Sequence, residues 1–348
     1  MLAVTAHGLK DIRVEEVDRP TLQAPSDAIL RVTTAALCGS DLHIYHDKIP
    51  GLAPGTVIGH EFCGVVEEVG DGVVDIQVGD RVVASMFPAC GHCPACLASD
   101  HRNCPHFALF GFGAGFGGLA GGQSEFVRVP FADMTLRAIP AGLNDEATIF
   151  TGDILSTAYA ALRGAGTKEG DTVAIVGAGP VGQLAAQCAH LFGAARTFVF
   201  DLVPERLAAV ERYGVTAINV TEGDPVKAMR DRNDGAWADV VIEAVGSAAG
   251  LETAFRLVRV NGVLAMVGML IDEPWPISAG QAWLRNIKIV PILGEPLLYR
   301  DELLRLIAAG RIDATDIISD RMPLASAAEA YAAFDNREVQ KVIFEVGK

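Results

Sequence analysis

The run Thr172-Val-Ala-Ile-Val176 is followed at once by Gly177-Ala-Gly-Pro-Val-Gly182, and apolar residues at helical spacing then continue to Phe192. A short run this apolar reads as a strand buried on both faces, and such strands belong to parallel sheets covered by helices. A G-x-G-x-x-G match alone is weak. Between a strand and a helix it becomes a specific signal for a phosphate-binding turn. Gly177 permits the tight turn, Gly179 lets backbone approach a pyrophosphate, and Gly182 lets the helix close on the sheet. Pro180 and Val181 open the helix, whose free N–H groups face the anion. The competing reading is a tight strand–helix turn in some other α/β protein.

Asp201 argues against that alternative. It ends the next strand, Arg196-Thr-Phe-Val-Phe200, nineteen residues after Gly182. A carboxylate there would accept hydrogen bonds from both adenosine ribose hydroxyls and repel a 2′-phosphate, the alternative being that Asp201 only caps the following helix. Leu202-Val203-Pro204 follow without a basic residue, so the expected cofactor is NAD rather than NADP. The apolar runs Asp239–Glu243 and Val263–Val267, with a helix over Pro204–Tyr213, continue the alternation and predict a parallel sheet with crossover helices. Before residue 150 the texture differs. Short β-branched runs at Ala28–Thr34, Cys63–Val69 and Asp80–Ala84, separated by Gly-Asp turns, predict a mostly β domain with long loops. After about 288, helices over Asp301–Ala309 and Ser326–Asn336 precede a last strand, Lys341-Val-Ile-Phe344.

The seven cysteines are unevenly spread. Cys90, Cys93, Cys96 and Cys104 fall within fifteen residues, in a spacing x2, x2, x7. Four thiolates in one loop with no open position suit a structural tetrahedral zinc. An iron–sulfur cluster is the rival, but its bacterial motif closes with a gap of three rather than seven and comes with further cysteines. Cys38-Gly-Ser-Asp-Leu-His43 and Gly59-His60-Glu61 supply a thiolate and an imidazole on loops of the first domain. On spacing alone, a buried thiol and a structural histidine would be the better explanation of them.

These motifs, taken in order, resemble those of the zinc-dependent medium-chain alcohol dehydrogenases over essentially all 348 residues. The resemblance rests on Cys38–His43, on Gly59-His-Glu-Phe-Cys-Gly-Val-Val66, on the four-cysteine lobe, on Gly177–Gly182 and on Asp201. It implies an α/β chain in which a GroES-like, mostly β catalytic domain (1–152 and 289–348) carries an inserted Rossmann doubly wound parallel-sheet domain (153–288). It implies a catalytic zinc on Cys38, His60 and a third ligand opening the cofactor domain. Thr151-Gly-Asp153 puts an aspartate there, where the animal and yeast enzymes have a cysteine. That departure resembles the microbial secondary-alcohol dehydrogenases and the glutathione-independent formaldehyde dehydrogenases. The zinc would act as Lewis acid on an alcohol or carbonyl oxygen while hydride passes to or from NAD. By the same resemblance, Ser40 would take the alcohol proton and His43 would exchange it with solvent through the cofactor ribose. Asp41 would orient His60, and Glu61 would stand behind the metal or touch it transiently.

Phe87, Phe110, Phe112 and Phe116, with Met269-Leu270, would suit an apolar cleft for small or medium alcohols, aldehydes or ketones, and core or interface positions would explain these aromatics equally well. A polyol or threonine dehydrogenase, a NAD-retaining formaldehyde dehydrogenase or dismutase, and a non-enzymatic cofactor-binding relative are the alternatives. A homodimer or homotetramer is expected by resemblance, with residues 271–292 as the interfacial strand. The formal net charge of −15 makes nucleic acid a poor partner. Residues 153–288 hold 12 basic and 15 acidic side chains against 16 and 28 elsewhere, so the acidity spares the segment expected to hold a dianionic cofactor. No apolar run reaches the roughly 18–20 residues of a membrane span. With no basic and apolar leader at Met1–Asp11 and thiols clustered for metal, a cytoplasmic location is expected.

Overall fold

A computed structural model describes residues 1–270 and 275–347. The chain divides into two compact units, 1–153 with 295–348, and 154–294.

The first unit is built on a seven-stranded sheet. Its path runs Asp320–Pro323, Val342–Glu345, Ala28–Ala36, Glu61–Val69, Arg81–Ala84, Leu136–Ala138, and Phe126–Val129 pairs with the other side of Ala28–Ala36. A smaller sheet orders Ile12–Glu16, Leu2–Ala6 and Thr56–Val57. Ala28–Ala36 is buried at nearly every position rather than at alternate ones, because both faces are covered. Its partner runs antiparallel, with Ala36 opposite Glu61 and Thr34 opposite Cys63. The return of the chain is explicit here, since Ile343 lies opposite Ala36. The strands Leu2–Ala6 and Ile12–Glu16 were not anticipated from the sequence.

The second unit is a six-stranded, wholly parallel sheet. Its order is Thr216–Asn219, Arg196–Asp201, Thr172–Val176, Ala238–Glu243, Val258–Met266, Lys288–Pro291. Numbered along the chain, that is 3-2-1-4-5-6, the Rossmann order. The sequence reversal therefore falls between Thr172–Val176 and Ala238–Glu243, beside Gly177. Phe198, Phe200, Val241, Leu251, Leu257 and Met229 pack one side of the sheet. The boundary expected after residue 288 falls after Gly294 instead, because Lys288–Pro291 pairs with Val258–Met266 as the sixth strand. Of the segment 271–292, residues 271–274 lie outside the described residues. Among the described residues no helix is long and apolar enough to cross a membrane.

Candidate metal centres and cofactor loop

Three segments far apart in sequence meet in the first unit. Cys38 leaves the strand Ala28–Ala36, His60 leads into Glu61–Val69, and Asp153 ends the turn Ile149–Gly152. All three are buried. Asp153 Oδ2 lies 3.5 Å from Cys38 Sγ and 3.1 Å from His60 Nε2. Zinc bonded tetrahedrally to sulfur at about 2.3 Å and to nitrogen and oxygen at about 2.0–2.2 Å would hold such atoms roughly 3.3–3.6 Å apart. The donor set also suits a cation electrostatically. Burial, then the negative charges of Asp153 and Glu61, push the Cys38 thiol up from its ordinary range. Burial opposes ionisation of Asp153 too, but His60 and Lys341 hold its carboxyl below the usual range. A dication between them would neutralise one thiolate and one carboxylate that burial otherwise sets against each other.

Local structure aims each ligand. The Cys38 N–H donates to Asp41 Oδ2 at 3.0 Å, tightening the turn into the helix Asp41–Tyr45. Asp41 Oδ1 stands 3.2 Å from His60 Nδ1. A proton on Nδ1 facing that carboxylate leaves the Nε2 lone pair toward Cys38 and Asp153, the arrangement a metal-bound histidine needs. Gly59 has φ +96°, and a side chain there would strike Gln123, so only glycine lets the chain deliver His60.

Ser40 Oγ lies 3.2 Å from both Cys38 Sγ and His60 Nε2, at the edge of the ligand cluster. His43 lies half-buried on the helix that follows. Glu61 is fully buried, and its Oε2 accepts from Lys341 Nζ at 2.5 Å. Lys341 also donates to Leu37 O at 2.8 Å and is itself 1% exposed. The interaction with Glu61, Cys38 and Asp153 outweighs burial and keeps this lysine charged. The sequence reading missed Lys341. Its signal was a lysine heading an otherwise apolar strand, a position that burial forbids without a carboxylate partner. Among the aromatics, Phe87 and Phe110 are core residues rather than cleft residues. Phe112 packs its ring 5.4 Å from the His60 ring, and Phe116 stands 5.7 Å from Phe112.

Cys90, Cys93, Cys96 and Cys104 form the second cluster. Cys90 Sγ lies 3.9 Å from Cys96 Sγ and 3.7 Å from Cys104 Sγ. Tetrahedral zinc with Zn–S of about 2.3 Å separates its sulfurs by about 3.8 Å. Backbone N–H groups of Cys90 and Cys96 donate to Cys104 Sγ and Cys93 Sγ, which favours thiolate. All seven cysteines are free of disulfides.

In the second unit, Gly177 turns at φ +106° and its N–H donates to Phe200 O at 2.7 Å. A Cβ on Gly182 would overlap Gly177 O, whereas the space beside Gly179 is open. The helix Pro180–Ala189 starts at Gly179 with no side-chain cap, leaving its first N–H groups to an anion. Asp201 Oδ2 accepts from Ala178 N at 2.6 Å, and Oδ1 accepts from Leu202 N and Val203 N at 2.8 and 2.9 Å. This carboxylate thus ties the glycine turn to the end of the second strand, and lone pairs remain for a further donor.

Comparisons with known proteins agree with this geometry. Residues 24–140 match the family described as Alcohol dehydrogenase GroES-like domain, and 180–309 match Zinc-binding dehydrogenase. The uncharacterized zinc-type alcohol dehydrogenase-like protein AdhB of Bacillus subtilis is 34% identical over 97% of this chain and 97% of its own. The formaldehyde dismutase of Pseudomonas putida is 30% identical over 99% of this chain and 97% of its own. The solved alcohol dehydrogenase TADH from Thermus sp. ATN1 superposes with a TM-score of 0.94 at 41% identity, over 99% of this chain and all of that one. With two clusters of zinc-type donors, a dinucleotide turn on a Rossmann sheet, and full-length alcohol dehydrogenase relatives, the chain belongs to the zinc-dependent, NAD(P)-linked alcohol dehydrogenases.

Proposed function

We propose that this dehydrogenase transfers hydride between NAD(H) and a small to medium alcohol, aldehyde or ketone at the Cys38–His60–Asp153 site. The convergence of those three donor atoms, with Ser40 Oγ 3.2 Å from two of them, carries the reading. Zinc held there would supply Lewis acidity that lowers the pKa of a substrate hydroxyl or polarises a carbonyl. The nicotinamide supplies the hydride chemistry. Ser40 takes the proton of the substrate hydroxyl, and His43, half-buried on the next helix, exchanges it with solvent. Asp41 fixes the His60 ring, and Lys341 holds Glu61 behind the ligands. Phe112, packed on His60, gives the site an apolar wall that favours hydrocarbon over polyol substrates.

Gly177, Gly179, Pro180, Val181 and Gly182 receive the pyrophosphate, and Asp201 selects NAD over NADP. The four-cysteine zinc is structural. A second reading, dismutation of formaldehyde with retained NAD, is favoured by the similarity to the Pseudomonas putida dismutase. Homo-oligomers form along Lys288–Pro291. That strand pairs on one side with Val258–Met266, and Trp283 and Leu284 nearby are 83% and 69% exposed. The location is cytoplasmic.

One experiment separates these readings. Zinc-replete protein is mixed with NAD or NADP and a panel of alcohols, polyols, threonine and formaldehyde, and absorbance at 340 nm is followed. The expected result is NADH formed from simple alcohols, with kcat/KM for NAD at least about tenfold above NADP, the equivalent of about 1.4 kcal/mol. Turnover of formaldehyde without net NADH, by protein that carries NAD through gel filtration, would establish the dismutase instead. Silence toward every substrate would leave only cofactor binding.

A further inference from the structure

A buried chain of polar groups runs from the helix Ala327–Asp335 to the back of His60. Tyr331 Oη donates to Gln123 Oε1 at 2.9 Å. Gln123 Nε2 donates to Ala36 O at 3.2 Å and to Asp41 Oδ2 at 3.3 Å. Asp41 Oδ1 faces His60 Nδ1 at 3.2 Å, and among the described residues neither atom has a hydrogen-bond partner, so each is left to the other. Tyr331, Gln123 and Asp41 are each 0% exposed. The Gln123 amide can face only one way. Ala36 O and Asp41 Oδ2 are both acceptors, so the NH2 lies toward them and Oε1 receives the tyrosine proton. Burial raises the Tyr331 hydroxyl well above its ordinary range, so it remains a donor.

The backbone around Gln123 is moulded to the same loop. A Cβ on Gly121 would collide with Ile58 and Gly59, and one on Gly122 with the Phe62 ring. The Gln123 side chain fills the space a Cβ on Gly59 would need. Residues 121–123 therefore lie flush against 58–62, the segment that presents His60.

We infer that Gln123 and Tyr331 are positioning residues that fix the Asp41 carboxylate, and through it the ring of His60, for metal binding. An aspartate held by only one backbone N–H can rotate. The amide supplies the second donor to Asp41 Oδ2, which leaves Oδ1 committed to the imidazole. Tyr331 in turn prevents the amide from turning over. Partners of this kind typically change metal affinity about 10–100-fold.

The inference rests on the reading of Cys38, His60 and Asp153 as a zinc site, and the test keeps the two apart. Full-length Gln123→Leu, Tyr331→Phe, the double variant and Asp153→Ala are titrated against a competing chelator, and zinc per subunit is measured. Cobalt is then substituted at the weaker site and its visible d–d band recorded. Gln123→Leu and Tyr331→Phe are each expected to weaken that site about tenfold or more. They should also shift the cobalt band and leave the four-cysteine zinc in place. The double variant should be no worse than Gln123→Leu, since both act through one amide. Unchanged affinity and an unchanged cobalt band would overturn the inference, even if the melting temperature falls, because the chain would then be packing only. If Gln123→Leu does not fold, Tyr331→Phe, which removes a single oxygen, decides alone. If Asp153→Ala retains as much zinc as the unaltered chain, the metal-site reading itself fails.

Discussion

The two metal clusters solve the same coordination problem in opposite ways. The four cysteines come from one loop of fifteen residues, and their sulfurs are supported by N–H groups of the loop itself. Cys38, His60 and Asp153 come from three separated segments, with Asp41 and Gln123 behind His60 and the buried Glu61–Lys341 pair beside them. The first site takes all its ligands from one loop, with Phe131 and Leu297 packed against it. The second exists only once the seven-stranded sheet has closed. A closed four-thiolate site suits a fixed brace, and a three-ligand site with a vacancy suits turnover.

The sharpest way to break this contrast is to remove one ligand from each cluster. Asp153→Ala should lower turnover by about a thousandfold or more, the equivalent of about 4 kcal/mol of transition-state stabilisation. Its zinc content should fall from two per subunit to one. Retained activity would sink the assignment. Lys341→Met should come next in size. It strands the Glu61 carboxylate, and breaking a buried pair costs about 3–5 kcal/mol. The double change Glu61→Gln with Lys341→Met should recover part of that stability in denaturant titrations. A Lys341→Met protein as stable as the parent would mean the pair contributes nothing.

Cys104→Ser tests the other half. Melting temperature should drop because metal binding is linked to folding. The turnover of molecules that remain folded should stay within about twofold, an effect near 0.4 kcal/mol. A large loss of turnover at unchanged stability would give the lobe a catalytic part. The last effect should be kinetic. Under a competing chelator, zinc should leave the three-ligand site first, about tenfold faster than the four-thiolate site, since its open position admits an attacking ligand. Release in the reverse order would invert the comparison.

The same contrast explains what the sequence disclosed. The cysteine lobe was legible because its ligands are contiguous, and Gly177–Gly182 because its strand and helix adjoin it. Thr172–Val176 was delimited correctly because every position after the first is apolar and buried. The strand Val258–Met266 was read only from Val263, because Arg259, Asn261 and Gly262 look like a turn and Asn261 indeed has positive φ. Thr216–Asn219 was missed as a short strand at a sheet edge. Asp153 was reached through resemblance, not spacing. Gln123 and Tyr331 were out of reach, since nothing local to them records that they face one another across more than two hundred residues of chain, and Lys341, despite heading an apolar strand, finds its partner Glu61 farther away still.

The pairing of Val342–Glu345 with Ala28–Ala36 has a consequence for the order of manufacture. Lys341 and Tyr331 both lie near the end of the chain, after the whole Rossmann unit has been made. The cysteine lobe is made within residues 90–104, whereas Tyr331 and Lys341, which back the Cys38–His60–Asp153 site, follow the whole unit 154–294. Loss of the segment after 330 would remove none of the ligands and would still take Tyr331 and Lys341 from behind them.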